Sequence, residues 1–315
     1  MRVCLLTDEI IEEFDPSIYL KNYVWDYVTV LSPSALKELT CANRYDMYIN
    51  LYEGYDDSEN SGLQFVRTLE ELNLPFTGAE AKFYGCTREE MQAAADARQI
   101  RFARGFHAET FADLEQADSL PYPLIVKHPN SFASAGLTKE SRVTNSDELK
   151  TQFERMSQAY GSARVEEFIE GRELSCLVVE DADDSCAPFA YPPAEMQFPE
   201  GETFLHEFAK WYNWDIFVVP LDDDALAARI QDVSRKFFIA MGGNGYARLD
   251  LRVRPDGEIV IIEINPNCGV LYSNVDDRSP SDLAISWDAA GHDGFLERIF
   301  RAAIKRQALR AKVNS

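Results

Sequence analysis

The chain has 315 residues, enough for a sizeable core and for roughly two domains. Its 46% hydrophobic and 12% aromatic content excludes a disordered chain. A formal net charge of −22 excludes nucleic acid and anionic membrane surfaces as expected partners, because phosphate contacts need basic surface.

The first block alternates strand and helix. Arg2–Thr7, Tyr27–Leu31 and Asp46–Leu51 read as short strands, and Gly62–Leu72 as an amphipathic helix with Leu63, Val66, Leu69 and Leu72 near helical spacing. This is the pattern of an open parallel sheet, closed by Pro75-Phe76-Thr77-Gly78. Thr87-Arg88-Glu89-Glu90 has the spacing of a capping box and predicts a helix running to Arg98. Pro123–Lys127 is an apolar strand that ends in a lysine, followed by the small-residue loop Asn130–Gly136. Ser146–Ser157 reads as a helix, Arg164–Ile169 as a strand, Gly171-Arg172-Glu173 as a turn and Leu174–Glu180 as another strand. The acidic runs at 181–184 and 222–224 read as solvated turns. Leu226–Ala240 is a helix, Tyr246–Val253 and Glu258–Asn265 form a hairpin around Pro255-Asp256-Gly257, and Leu296–Ala311 is a basic helix. No apolar run approaches the ~18 residues of a spanning helix. The opening Met1–Asp8 turns acidic too early for a signal peptide. The six cysteines (4, 41, 86, 176, 186, 268) lack C-x-x-C spacing, so reduced thiols of a cytoplasmic protein are expected.

The hairpin carries the strongest chemical signal. Strand alternation puts Arg248 and Asp250 on one face, and Glu263 and Asn265 on one face of the partner strand. Two carboxylates and an amide oxygen at the end of an apolar ribbon suit Mg²⁺, which takes few protein ligands and shares the rest with nucleotide phosphates. A hairpin with solvated charges is the plainer alternative. Lys127 at a strand end is a candidate phosphate contact, or an ordinary snorkelling lysine. No G-x-x-x-x-G-K-[ST] loop is present, and Gly243-Asn244-Gly245 lacks the third glycine of a dinucleotide fingerprint. The acidic segment Glu166–Glu173 could present backbone groups to a purine edge and an acid to a ribose, or form a surface hairpin. The histidines (107, 128, 206, 292) do not cluster and are read as structural.

In combination, Val126-Lys127, the Ser/Ala/Gly loop, Glu167-x-x-x-Gly171-x-Glu173, Arg248-x-Asp250 and Glu263-x-Asn265-Pro266 resemble the ATP-grasp ligases. The likeness is closest to the D-alanine–D-alanine ligase branch, over roughly residues 76 to 275. The resemblance implies an α/β chain with α+β character in its nucleotide-binding part: an ATP-grasp fold, in which an N-terminal open parallel sheet is joined to two subdomains that grip ATP. The expected boundaries are 1–85, 86–165 and 166–315. It implies that Arg88 (where the family has a lysine), Lys127, Ser134, Glu166, Phe168, Ile169 and Glu173 bind ATP. It implies that Asp250, Glu263 and Asn265 hold Mg²⁺, with Mn²⁺ as a substitute, and that Arg248, Lys210 and the Gly269 N–H serve catalysis. Small-molecule carboxylate and amine substrates, an acyl-phosphate intermediate and a homodimer follow from the same likeness. Three departures separate this chain from the pattern. Ala133 precedes Ser134 where two serines stand, Thr7-Asp8-Glu9-Ile10 replaces a Gly-rich turn, and no Ser-Leu pair occurs in Val270–Asn274. D-Alanine is therefore not assigned as substrate. The acceptor stays open between an amine, a hydroxyl and a peptide terminus, and a catalytically silent ATP-binding regulatory module is the alternative from another class.

Overall fold

The computed structural model describes residues 1–7, 16–30, 32–42, 44–52, 61–129, 134–208, 216–272 and 279–313. The expected parallel sheet is present. β1 (Arg2–Thr7) lies between β2 (Val24–Thr29) and β3 (Met47–Asn50), parallel to both. All of β1 beyond Arg2 is buried, as a central parallel strand covered on both faces requires. Its Cys4 and Leu6 face α1 (Pro33–Ala42) and α2 (Gly62–Glu71), through Leu36, Phe65, Val66 and Leu69. Ser61 caps α2 by accepting a hydrogen bond from the Gln64 N–H.

The short α3 (Ala81–Tyr84) leads to α4 (Arg88–Ala97), which opens with the expected capping box of Thr87 and Glu90. A second, antiparallel sheet follows, built from β4 (Gly105–Ala108), β5 (Leu124–Lys127), β6 (Arg142–Val143) and β7 (Ala163–Glu167) in the order β4-β7-β5-β6. Helix α5 (Ser146–Tyr160) covers it with Leu149, Phe153 and Met156, and ends at Gly161, whose φ of +80° suits a residue without Cβ.

The third sheet holds β8 (Arg172–Val179), β9 (Phe189–Ala190), β10 (Ala194–Gln197), β11 (Phe217–Pro220), β12 (Tyr246–Val253) and β13 (Ile259–Pro266). Its path is β11-β10-β8-β12-β13, with β9 on β8. Helix α6 (Asp224–Ala240) and α4 pack on one face, against Leu174, Cys176, Leu249, Leu251 and Ile264. The chain then forms α7 (Pro280–Trp287) and α8 (Gly291–Val313). Helix α8 lays Phe295, Leu296, Ile299 and Ala303 against Val3, Leu5, Met47 and Ile49, closing the other face of the first sheet. Among the described residues no helix is long and apolar enough to cross a membrane.

Some element bounds differ from the sequence reading. The second strand runs Val24–Thr29 rather than 27–31, because its extent is set by residue-for-residue pairing with β1 from Arg2↔Val24 to Thr7↔Thr29. The turn read at 171–173 is confined to Gly171 (φ +137°); Arg172 and Glu173 already pair with Val253 and Arg252. A Cβ on Gly171 would sit 2.1 Å from the Val253 carbonyl oxygen, so close backbone approach also excludes side chains there.

Candidate active site

On β12, Ala247, Leu249 and Leu251 point into the core under α4 and α6, which turns Arg248, Asp250 and Arg252 to the opposite face. The hairpin register then decides the chemistry. From the turn inward, Val253 pairs with Ile259, Arg252 with Val260 and Leu251 with Ile261. Continued without interruption, this count would set Ile262 opposite Asp250. The register shifts between Asp250 and Leu251, while β12 runs in unbroken register with β8, so the extra residue lies on β13 and Ile262 is the one passed over. Beyond this bulge Asp250 faces Glu263 and Arg248 faces Asn265. Bulges re-aim side chains in this way beside active sites. Both oxygens of Asp250 accept from Arg248, at 2.7 Å from Nε and 2.9 Å from Nη2. The Asn265 amide nitrogen bridges Asp250 (2.8 Å) and Glu263 (3.1 Å).

The second sheet and α4 bring cations to this face. Arg88, on the first turn of α4, pairs with Glu263, and Lys127 at the end of β5 pairs with Glu166 on β7. Glu166 is 1% exposed and lies within ion-pair distance of three cations: Lys127, Arg164 (3.0 Å) and Arg88 (4.0 Å). Burial pushes the Glu263 carboxyl up, but Arg88, Lys127 and the Asn265 amide outweigh it and hold the group at about 2. Burial also opposes the charged form of Glu166, and Lys127, Arg88 and Arg164 reverse that, lowering its pKa. For Lys127, burial and the neighbouring Arg88 prevail over Glu166 and Glu263, so its pKa falls.

Along the acidic segment, Phe168 is 6% exposed, with the guanidinium carbons of Arg252 and Arg142 at 4.9 and 5.1 Å from its ring centre. Arg252 donates to the Ile169 carbonyl (2.9 Å) and the Thr203 carbonyl (2.6 Å), and pairs with Glu173 directly across the β8–β12 ladder. Burial raises the Glu173 pKa despite Arg252. The Ser134 hydroxyl donates to the Leu205 carbonyl (3.0 Å), and the Gly136 N–H donates to Glu207 (2.7 Å). Lys139 and His206 share Glu202, at 2.6 and 2.9 Å. The small-residue loop after β5 is thereby clasped to segment 202–207 of the third sheet's connection. Lys210 lies outside the described residues, as do residues 130–133 of the loop and 273–278.

Gly269 follows β13 in a loop pinned from several sides. The Ser279 hydroxyl donates to its carbonyl (2.6 Å), and Asp282 accepts from the Leu271 and Tyr272 N–H groups (2.6 and 2.9 Å). His292 lies 3.1 Å from the same carboxylate.

The donor set matches a polyphosphate with a hard cation. Arg88 Nη1 is buried and has no hydrogen-bond partner, a donor that a phosphate oxygen would complete. Added anionic charge would also favour the charged form of Lys127. Asp250 and Glu263 supply carboxylate oxygens, and a half-turn of the Asn265 amide would present its oxygen in place of its nitrogen. Among the described residues no cluster of three or more His, Cys, Asp or Glu side chains forms, so a metal here would draw its remaining ligands from phosphate and water.

The structure thus brings Arg88, Lys127, Glu166, Arg248, Asp250, Glu263 and Asn265 into one connected network of ion pairs and hydrogen bonds. Phe168 and Ile169, in the link from β7 to β8, and Glu173 on β8 are tied together by Arg252. Sequence reasoning did not single out Arg252 and Arg164. Arg252 continues the alternation of Arg248 and Asp250, and Arg164 stands two residues before Glu166 on the same strand; both spacings were readable signals.

Comparison with known proteins places the family and the fold. Residues 98–276 match the family model described as D-ala D-ala ligase C-terminus. The D-alanine–D-alanine ligase of Cupriavidus necator is 28% identical over 262 residues, covering 81% of this chain and 76% of that protein. The ATP complex of a D-alanine–D-alanine ligase from Bacillus anthracis superposes with a TM-score of 0.70 at 18% identity, covering 98% of this chain and 99% of that one. A D-Ala:D-Ser ligase from Enterococcus faecalis gives 0.71 at 16% identity, covering 96% and 99%. The shared architecture is the expected ATP-grasp fold.

Proposed function

The chain belongs to the D-alanine–D-alanine ligase family of ATP-grasp enzymes, and from that premise we propose that it joins the carboxylate of an amino acid or small acid to the amine of an amino acid, through an acyl phosphate. At family level it is an ATP-dependent, ADP-forming ligase. The observation that carries the finer reading is the bulged hairpin, which sets Asp250 against Glu263 and Arg248 against Asn265 beneath the Arg88–Lys127 pair.

A carboxylate is a poor acyl donor because an oxide would have to leave. Attack of a carboxylate oxygen on the γ-phosphorus, with cleavage of the β–γ bridging P–O bond, gives an acyl phosphate and ADP. The amine nitrogen then attacks the acyl carbon, loses a proton, and phosphate departs with the C–O bond. Lys127 and Arg88 hold the phosphates, Arg248 stabilises charge on the transferring group and on the tetrahedral oxyanion, and the Gly269 N–H shares the latter task. Arg248 suits this role. Burial disfavours its charge, but Asp250 more than offsets that and raises its pKa, so the guanidinium stays charged. Asp250, Glu263 and Asn265 would hold Mg²⁺, or Mn²⁺ in its place, and the chemistry so supplied is neutralisation of phosphate charge. Phe168, Ile169 and Glu173 line the nucleoside, with Ser134 on the phosphate side; the catalytic role of Lys210 rests on the sequence resemblance alone. The clasp between the loop at 134–139 and segment 202–207 keeps water from the acyl phosphate. The division 1–85, 86–165 and 166–315, a homodimer and a cytoplasmic setting, where ATP is supplied, belong to the same proposal.

The test is a mass-spectrometric screen of paired amino acids with ATP and Mg²⁺, read as dehydrated adducts with matched ADP release. Amine-dependent ADP release supports the reading. Ester adducts with hydroxy acids would assign a hydroxyl acceptor, and absence of ADP release with every acid would leave a silent ATP-binding module.

A further inference from the structure

Among the described residues Arg164 is the largest side chain buried almost completely, with 1% exposed. It stands on β7 directly across the ladder from Lys127. Two cations facing each other on one sheet face repel, and neither is tolerated in a dry interior without a counter-ion. Glu166, two residues along the same face, serves both: one oxygen pairs with Lys127, the other accepts from Arg164 Nε at 3.0 Å. The rest of the Arg164 fork turns to α4, where Nη1 meets Glu89 (2.9 Å) and Nη2 meets Gln92 (3.0 Å). Glu89 is the neighbour of Arg88 and Gln92 lies one turn further on. A rigid planar guanidinium therefore fixes three things at once: the carboxylate under Lys127, the helix that carries Arg88, and the spacing between them.

We propose that Arg164 is a positioning residue for nucleotide phosphates. Shared among Arg164, Lys127 and Arg88, Glu166 is not committed to Lys127 alone, so a phosphate would supply counter-charge that the lysine lacks. With Arg164 removed, Glu166 would be given over to Lys127, and α4 would lose its tie to β7. The inference rests on the reading of this cleft as an ATP site and adds to it a residue that touches no ligand.

The test compares direct binding of ADP and of adenosine, each with Mg²⁺, to the full chain carrying Arg164→Met, Arg164→Lys or Glu89→Gln. ADP affinity is expected to fall about tenfold in Arg164→Met while adenosine affinity holds, with part of the loss restored in Arg164→Lys. Glu89→Gln alters a largely exposed side chain (57%) that can be changed without opening the core, and loosens the same fork if Arg164→Met does not fold. It is expected to lower ADP affinity about two- to threefold. Equal losses for ADP and adenosine, or no loss in a folded variant, would overturn the inference, since a merely structural role weakens both ligands alike. Wild-type protein that binds neither ligand would instead sink the ATP-site reading itself.

Discussion

Replacing Glu263 by Gln separates folding from chemistry at the centre of the site. The side chain is held by Arg88 and by the Asn265 amide, and its pKa stands at about 2 rather than the ordinary 4.5. At roughly 1.4 kcal/mol per pH unit that difference is ~3 kcal/mol. The side chain is 22% exposed, so solvent screens part of this and about 2–3 kcal/mol is the expected loss of stability at neutral pH. The sign follows from linkage. A carboxyl with a depressed folded-state pKa contributes fully above 4.5, and that contribution fades as pH falls towards about 2. The stability gap between wild type and Glu263→Gln should therefore be widest near neutrality and shrink on acidification. Activity should respond more sharply, because the variant removes an anionic oxygen proposed to hold the metal: ADP release should fall at least ~10²-fold while the chain still folds. Urea unfolding from pH 7 down to about 2.5, through the window between the ordinary and the depressed pKa, with ADP release assayed at pH 7, measures both. Undiminished ADP release in Glu263→Gln would refute the metal assignment, and a pH-independent stability gap would refute the electrostatic account of the Arg88–Glu263 pair.

Three further outcomes are expected. Glu207→Ala removes the carboxylate that receives the Gly136 N–H, about 0.5–1.5 kcal/mol, so KM for ATP should rise by about two- to tenfold and more ADP should appear without matching product; an unchanged ADP-to-product ratio would argue against the clasp as a water barrier. Arg306→Ala deletes a buried guanidinium that pairs with Glu180 and donates to the carbonyls of Phe76 and Gly78 (3.0 and 2.9 Å), and should lower the melting temperature by about 5–15 °C, measured by calorimetry. Disulfide-reagent titration of native protein at pH 8 should find fast reaction only at the exposed Cys41 and Cys186, because burial pushes the thiols of Cys4, Cys86 and Cys176 to about 12 and that of Cys268 to about 11; a third fast thiol would contradict this.

Local signals made much of the fold legible. The Thr87–Glu90 box, the Pro255-Asp256-Gly257 turn and the period-2 strands around it depend on residues a few positions apart, and each formed where expected. Elements whose stability comes from distant partners were not legible. The two-residue β9 exists because β8 offers it an edge, α7 is a single short helix started by Ser279 and Pro280, and the start of β2 is set by pairing with Arg2. Within the site, alternation gave the faces of Arg248, Asp250, Glu263 and Asn265, and the hairpin placed Asp250 opposite the Glu263/Asn265 end as observed, but the bulge that sets the residue-for-residue pairing was not legible. Only the bulge at Ile262 decides whether Asp250 meets an isoleucine or a glutamate, and nothing in a run of four aliphatic residues marks which of them will be passed over.

The same limit applies to charge. A net charge of −22 argues against nucleic acid and anionic membranes and leaves any anion site to be built locally, and here Arg88, Lys127, Arg164 and Arg248 gather around a few carboxylates. Surface charge acts through water and salt and fades within about 8–10 Å, whereas buried charges interact through a medium of far lower effective dielectric. Four cations can therefore be held close together inside an acidic protein when carboxylates stand beside them. Their counter-ions stand beside them: Glu166 is shared among Lys127, Arg164 and Arg88, Glu263 pairs with Arg88, Asp250 with Arg248 and Glu89 with Arg164. Composition describes the exterior of such a protein well. The potential that selects its ligand is set by which few side chains the sheets and α4 bring within about 3–4 Å of one another, and that is a property of the fold.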